Sequence, residues 1–268
     1  MANKNQLIMD NCLRLTAFDP ATGMAVFMLS EVEDFNTAVE VANTREITDH
    51  NGTTVAILEA GKKATMSGNA SFINFGLLAA QAGSEVQRAT ADAPIVTPRY
   101  EAIYASDAVD GAITLEKTPV GEAGNEIKYL YVLNEDGTIN SDLVYEQAAA
   151  ASDTEFAVEG SKLTLPTNVD ANAAFAVFYD FEGTGTILIE NNDGEFGKVY
   201  IVKADILCRD ICNQNIQTVV TVESKNAKLE SAYDLTWTSE SKHPFSFSIS
   251  KDFCSKSGKL MTTYVIED

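Results

Sequence analysis

The residues of this chain that are able to do chemistry are few and scattered. Two histidines, His50 and His243, four cysteines, Cys12, Cys208, Cys212 and Cys254, and paired carboxylates such as Glu31 and Glu33 are the candidates for proton transfer, nucleophilic attack or metal binding. A general base must sit within hydrogen-bond reach of the proton it moves. His50 precedes the Asn51-Gly52 turn and His243 precedes Pro244, so both read as loop residues rather than bases. On a strand, Cys208 and Cys212 would stand roughly 13 Å apart, too far for one bridge or one metal ion. No histidine lies beside them, and all four thiols read as reduced, small core residues. The chain has no GxSxG, no P-loop, no GxGxxG after a strand and no HExxH. Glu31 and Glu33 could mimic a glycosidase pair, but among 39 acidic residues their spacing carries no information. Tyr129 and Tyr131, with Tyr179 and Phe181, form a candidate sugar-binding strip whose alternative is ordinary alternating core. The expectation is a protein without catalysis, cofactor or metal.

Charge narrows the partners. The net charge is -20 with a pI near 4.4, which disfavours wrapping a nucleic-acid backbone or an anionic membrane, since both require Lys and Arg. Residues 101–200 hold 19 Asp or Glu against Lys117, Lys128, Lys162 and Lys198, whereas residues 1–100 carry 11 acids and 7 bases and residues 201–268 carry 9 and 8. An acidic insert therefore interrupts a more balanced framework. The N-terminal stretch lacks the apolar run of a signal peptide, and no run of ~18 apolar residues occurs, so the chain is expected to act without export and without a membrane span.

The elements that would position these residues are mostly strands. Leu13, Leu15 and Ala17 alternate with Arg14 and Thr16, and Asp19-Pro20-Ala21-Thr22-Gly23 turns the chain into Met24–Val32, a hairpin. A longer polar arm follows, from Phe35 to Ala56, with Asn51-Gly52 as its turn. One segment reads as helix: Asn69 or Ser71 caps it, Phe72, Phe75, Ala79 and Ala82 repeat at helical spacing, and Gly83 stops it. Phe75→Ala should cost about 3–5 kcal/mol if that face is buried. From Tyr104 onward ITLEKTP, EIKYLYVLNEDGTI, TEFAVEGSKLTLP and AAFAVFYDFEG read as five or six short strands with acidic tips, while residues 147–152 are either a helical turn or a loop. The framework resumes with FGKVYIVKADIL, IQTVVTVES, AKLESAYDLTWTS, PFSFSIS and KLMTTYVIE. The reading is a mostly β chain with a discontinuous framework domain, 1–103 and 183–268, and an inserted acidic β-sandwich-like subdomain, 104–182.

Two stretches carry a resemblance. EITDHNGTTVAILEAGKKATMSGNASFINFGLLAAQAG gives a hairpin arm, a Lys-rich strand and a single helix ending in glycine. The last 65 residues, from ADILCRD to the C-terminus, give a strand, a Cys-containing bend, a strand, a variable loop and a terminal Phe-rich strand pair. Together these resemble the major tail tube proteins of long-tailed bacteriophages over residues 1–100 and 183–268. The resemblance implies a tail-tube-type β-sandwich with one packed helix and a long hairpin arm. Such protomers close into six-membered rings that stack into a hollow conduit for the genome, and the implied location is the virion tail, assembled in the host cytoplasm. Implied partners are sister copies, tape measure and tail terminator proteins, and DNA passing without specific binding. The long sheet borders of the protomer are expected to be open and completed by sister copies. The arm, with Phe35, Glu40, Arg45, Glu46, Asp49 and Asn51, is expected to reach the next ring and to order on contact. Glu31, Glu33 and Asp34 are candidates for a bore that repels DNA. The alternative is an immunoglobulin-like module that decorates a virion or binds cell-surface glycans.

Overall fold

The computed structural model describes residues 6–239, 241–251 and 258–266. Its first segment contains β1 (Leu7–Phe18), β2 (Ala25–Thr48), β3 (Thr54–Ala70) and the only helix among the described residues longer than a single turn, α1 (Phe75–Ala82). Shorter elements follow: β4 (Gln87–Arg88), β5 (Ile95–Tyr104), β6 (Ala112–Thr114), β7 (Pro119–Val120), β8 (Tyr129–Leu133), β9 (Ile139–Gln147), β10 (Glu155–Glu159), β11 (Lys162–Thr164), β12 (Ala174–Gly183) and β13 (Ile187–Leu188). Long strands then return as β14 (Val199–Asp210), β15 (Gln217–Leu229), β16 (His243–Ile249) and β17 (Thr262–Val265). The chain divides into two compact units, one from residues up to Val86 and from Ile189 onward, the other Gln87–Leu188. The composition change at residue 104 thus falls at the end of a strand, β5, that pairs along its whole length with β12.

In the first unit the strands pair in the order β14-β1-β2-β3-β16-β15, and β14 pairs again with β15, so the sheet closes on itself; β17 joins the circuit at β15. Alternation explains the closure. Leu15 and Ala17, Phe27 and Leu29, Tyr200, Val202 and Ala204, and Phe245, Phe247 and Ile249 all face one apolar core, while their neighbours face outward. Within the barrel wall the expectation of long open framework borders is not met, whereas the distal parts of β2 and β3 pair only with each other among the described residues and keep their outer edges open. β15 is 13 residues long and pairs at different points with β14, β16 and β17, which leaves few free backbone groups on the barrel wall.

Helix α1 adds Leu77 and Ala80 to this core. Its cap is Asn74, whose side chain accepts from Leu77 N at 2.9 Å, and not Asn69 or Ser71. Asn69 remains within β3, opposite Glu33 and Pro244. Gly83 ends the helix at φ 76°, a left-handed conformation, and a Cβ there would stand 2.6 Å from Phe196 N, so glycine is required twice over. Phe75 is 44% exposed and Phe72 more so; the 3–5 kcal/mol expected for Phe75→Ala does not apply. His243 is a further correction. It is fully buried at the start of β16, accepts from Asn74 N through Nδ1 at 3.3 Å and, through Nε2, donates to Gln81 Oε1 at 2.8 Å.

The second unit has one sheet in the order β5-β12-β8-β9-β10-β11-β6, with β7 also on β12, and a small β4–β13 pair. Ile103 of β5 and Ile113 and Leu163 of β6 and β11 share a core with Leu130, Phe156, Phe175 and Val177, so the sheet curls until its two ends cover the same apolar interior. More strands are present than the five or six expected, and residues 148–152 are a loop, with Ala148 N donating to Phe156 O. Tyr179 and Phe181 belong to the core side. Tyr179 is buried and donates its hydroxyl to Glu101 Oε2 at 2.7 Å, and burial pushes that phenol up to about 12.

Candidate functional site

The feature that stands apart from both cores is the ribbon formed by the distal parts of β2 and β3. From Thr37↔Met66 to Ile47↔Ala56 the two strands keep one antiparallel register, so the side chains sort cleanly onto two faces. One face continues the core-facing side of β3, where Met66 and Ala64 are buried, and carries Val39, Val41, Asn43, Arg45 and Ile47 against Lys62, Ala60, Leu58 and Ala56. The other carries Ala38, Glu40, Thr44 and Glu46 against Thr65, Lys63, Glu59 and Ile57. Val39, Val41, Ile47 and Leu58 are 39–52% exposed, and among the described residues neither core cluster includes them. The ribbon is therefore amphipathic, with a face that is apolar and positively charged backing one that is mainly acidic. Its two strands pair along almost the whole ribbon, the Ala42 and Gly61 positions aside, where Gly61 takes φ 75°.

Asp49 and Asn51 serve the tip. Asp49 Oδ1 accepts from Asn51 N at 2.9 Å and from Thr53 N at 2.8 Å, and Gly52 takes φ 83°. These bonds satisfy backbone donors that a tight reversal leaves free. Glu46 accepts from Thr54 Oγ1 at 3.3 Å, Glu40 stands opposite Lys63, and Arg45 stands opposite Leu58 on the apolar face. Phe35 is at the root, packed against the barrel core.

The root itself is bent. Glu31 and Asp34 adopt φ of 57° and 52°, and the β2–β3 register slips between Glu33 and Asn36. Inward positions accordingly run Leu29, Val32 and Phe35, every third residue instead of every second. Glu31, Glu33 and Asp34 all stay exposed as a result. Ser71 Oγ has two acceptors in reach for its single proton, Glu31 O at 2.7 Å and Glu33 Oε1 at 3.0 Å, and Asn69 Nδ2 donates to Asp34 Oδ2 at 3.2 Å. Lys242 pairs with Glu33 and, with Ser71, holds its carboxyl below the usual range. The kinks at Glu31 and Asp34 were not foreseeable from residue type, since neither position is glycine.

The remaining candidates are dispersed. Cys12 and Cys208 are buried, with burial pushing Cys12 up to about 11; Cys212 is exposed, and Cys254 lies outside the described residues. Among the described residues no three His, Cys, Asp or Glu side chains are grouped to hold a metal ion, and no helix is long and apolar enough to cross a membrane.

A closed β framework that extends a paired, uncovered ribbon beyond its own core has the form of a structural subunit. Comparison with known families carries this further: the family model of the YomU/Tube protein family matches residues 7–265. The chain belongs to that family, a family of phage tail tube proteins. No curated protein matches it.

Proposed function

We propose that the chain is the repeating subunit of a phage tail tube, closing into six-membered rings that stack into the conduit for genome delivery. Family membership supports the tube. The observation that carries the mechanism is the ribbon face of Val39, Val41, Ile47 and Leu58, apolar and uncovered in its own chain. Burying these four half-exposed side chains against a copy in the next ring contributes on the order of 1 kcal/mol each, and the contact repeats at every subunit of the ring. Arg45 and Lys62 on the same face give it a sign opposite to the chain's net charge, so it is drawn to the acidic surface of another copy. The barrel wall leaves few free backbone groups, so assembly relies mainly on side-chain faces and on the ribbon's two free edges.

The acidic root, Glu31, Glu33 and Asp34, is assigned to the bore, where fixed negative charge keeps passing DNA from adhering. The insert, 17 acids against Arg88, Arg99, Lys117, Lys128 and Lys162 over residues 87–188, is assigned to the tube exterior, where like charge keeps tubes from bundling. Partners are sister copies and the tape measure and terminator proteins of the tail, with assembly in the host cytoplasm. The test is a chain in which residues 41–62 are replaced by a two-residue turn. It should keep its circular-dichroism spectrum and fail to form tubes by electron microscopy; tubes from this variant would refute the role of the ribbon.

A further inference from the structure

We propose that the outward face of the β5–β12–β8 sheet in the second unit binds a neutral oligosaccharide. This goes beyond tube assembly and does not depend on it. Register places Tyr100 of β5 opposite Phe178 of β12, and Tyr131 of β8 opposite Ala176 of β12, two residues before Phe178 on the same face. Ring centroids run Tyr100–Phe178 5.2 Å, Phe178–Tyr131 6.0 Å and Tyr131–Tyr129 5.9 Å, a continuous aromatic row across three strands. Each step is about the length of one hexopyranose residue. The core of this unit is filled from the opposite face by Phe175, Val177 and Tyr179, yet Tyr100 and Phe178 remain 53% and 47% exposed. Aromatic rings arrayed in water at such spacing are a platform without a cover.

The polar groups beside the row choose the ligand. A cleft of about 500 Å³, within the size range of small-ligand sites, is lined by Pro98, Tyr100, Asn125, Glu126, Lys128 and Phe178, among others. Glu126 is fixed as an acceptor by Gln147 Nε2 at 2.7 Å and Gly124 N at 3.0 Å, and Gln147 is itself held, accepting from Ile127 N at 2.8 Å. Lys128 Nζ lies 5.3 Å from the Tyr129 ring centre and supplies donors, and the Asn125 amide supplies both kinds of group. An apolar stacking surface edged by acceptors and donors matches a sugar ring, which presents a C–H face and a rim of hydroxyls. The surplus of acids in this unit repels nucleic acid and acidic glycans, and it repels a second copy of the same face.

The test uses the full chain and four probes, cellohexaose, maltohexaose, chitohexaose and mannohexaose, with oligogalacturonate as the charged control, read by saturation-transfer NMR. At least one neutral probe is expected to bind, with saturation focused on Tyr and Phe protons and affinity unchanged between about 50 and about 500 mM salt. Tyr131→Ala and the double variant Tyr100→Ala/Phe178→Ala should each weaken binding by ~10-fold or more. Glu126→Gln, which leaves the aromatic row intact, should weaken it several-fold, and circular dichroism checks each fold. Binding to none of the four probes, equal binding of oligogalacturonate, or undiminished binding by the double variant would each overturn the assignment. So would a change in oligomer size on Tyr131→Ala with the probes silent, which would mark the face as a contact between copies.

Discussion

His243 is neutral because of where it lies. Its Nδ1 accepts from Asn74, its Nε2 donates to Gln81, and Gln81 Nε2 donates to Pro244 O at 2.9 Å, so a second ring proton would meet a backbone N–H instead of an acceptor. Burial holds its pKa below the ordinary 6.5. The unfolded chain therefore binds this proton more readily, and the stability conferred by neutral His243 is complete above about pH 6.5 and declines as pH falls through that value. The melting temperature should drop between pH 7.5 and pH 5 in the parent chain. In His243→Gln that contribution to the drop should vanish, at a cost of about 1–3 kcal/mol at pH 7.5. A variant that kept the full parental drop would show that other groups set the acid sensitivity. The burial of His243 is hidden in the sequence by Pro244. A proline is tolerated there because β16 has β3 as its paired neighbour at that point and pairs with β15 only from Phe247, so no ladder donor is lost.

At the scale of elements, the hairpin, the helix and the Asn51-Gly52 tip were legible because they rest on local signals: alternation, a glycine stop and a turn dipeptide. What was not legible depended on tertiary choice. Asn69, Ser71 and Asn74 are equally good caps by residue type, and only the continued pairing of Asn69 in β3 leaves the role to Asn74. Asn74→Ala should cost about 1 kcal/mol, measured by urea denaturation, since Leu77 N loses its acceptor. In the run AFAVFYDF only Asp180 marks a parity; of the two readings of Tyr179 and Phe181, sugar-binding strip or ordinary alternating core, the structure gives the core, and Phe178 is the exposed ring. The arm itself was read as polar, whereas its register gathers Val39, Val41, Ile47 and Leu58 on one side and leaves Ile57 on the other. Val41→Asp should leave thermal stability within about 0.5 kcal/mol, because Val41 touches no core, and should abolish self-association in analytical ultracentrifugation.

For the whole molecule, the framework is a self-contained barrel that still leaves an apolar ribbon face uncovered, and the charge of the chain sets how copies meet. Raising ionic strength screens the acidic surfaces while leaving the apolar contact in place. Light scattering should therefore show tubes growing and associating laterally as salt rises; dissociation under the same change would make ion pairs, not the ribbon's aliphatics, the adhesive. Electron microscopy of the purified chain beside Val41→Asp/Leu58→Asp bears most directly on the claim that an uncovered ribbon face joins one subunit to the next. The parent chain should form rings or tubes of uniform diameter and the double variant only folded single copies. A parent that stays monomeric at every concentration, or a double variant that builds the same tubes, would contradict it.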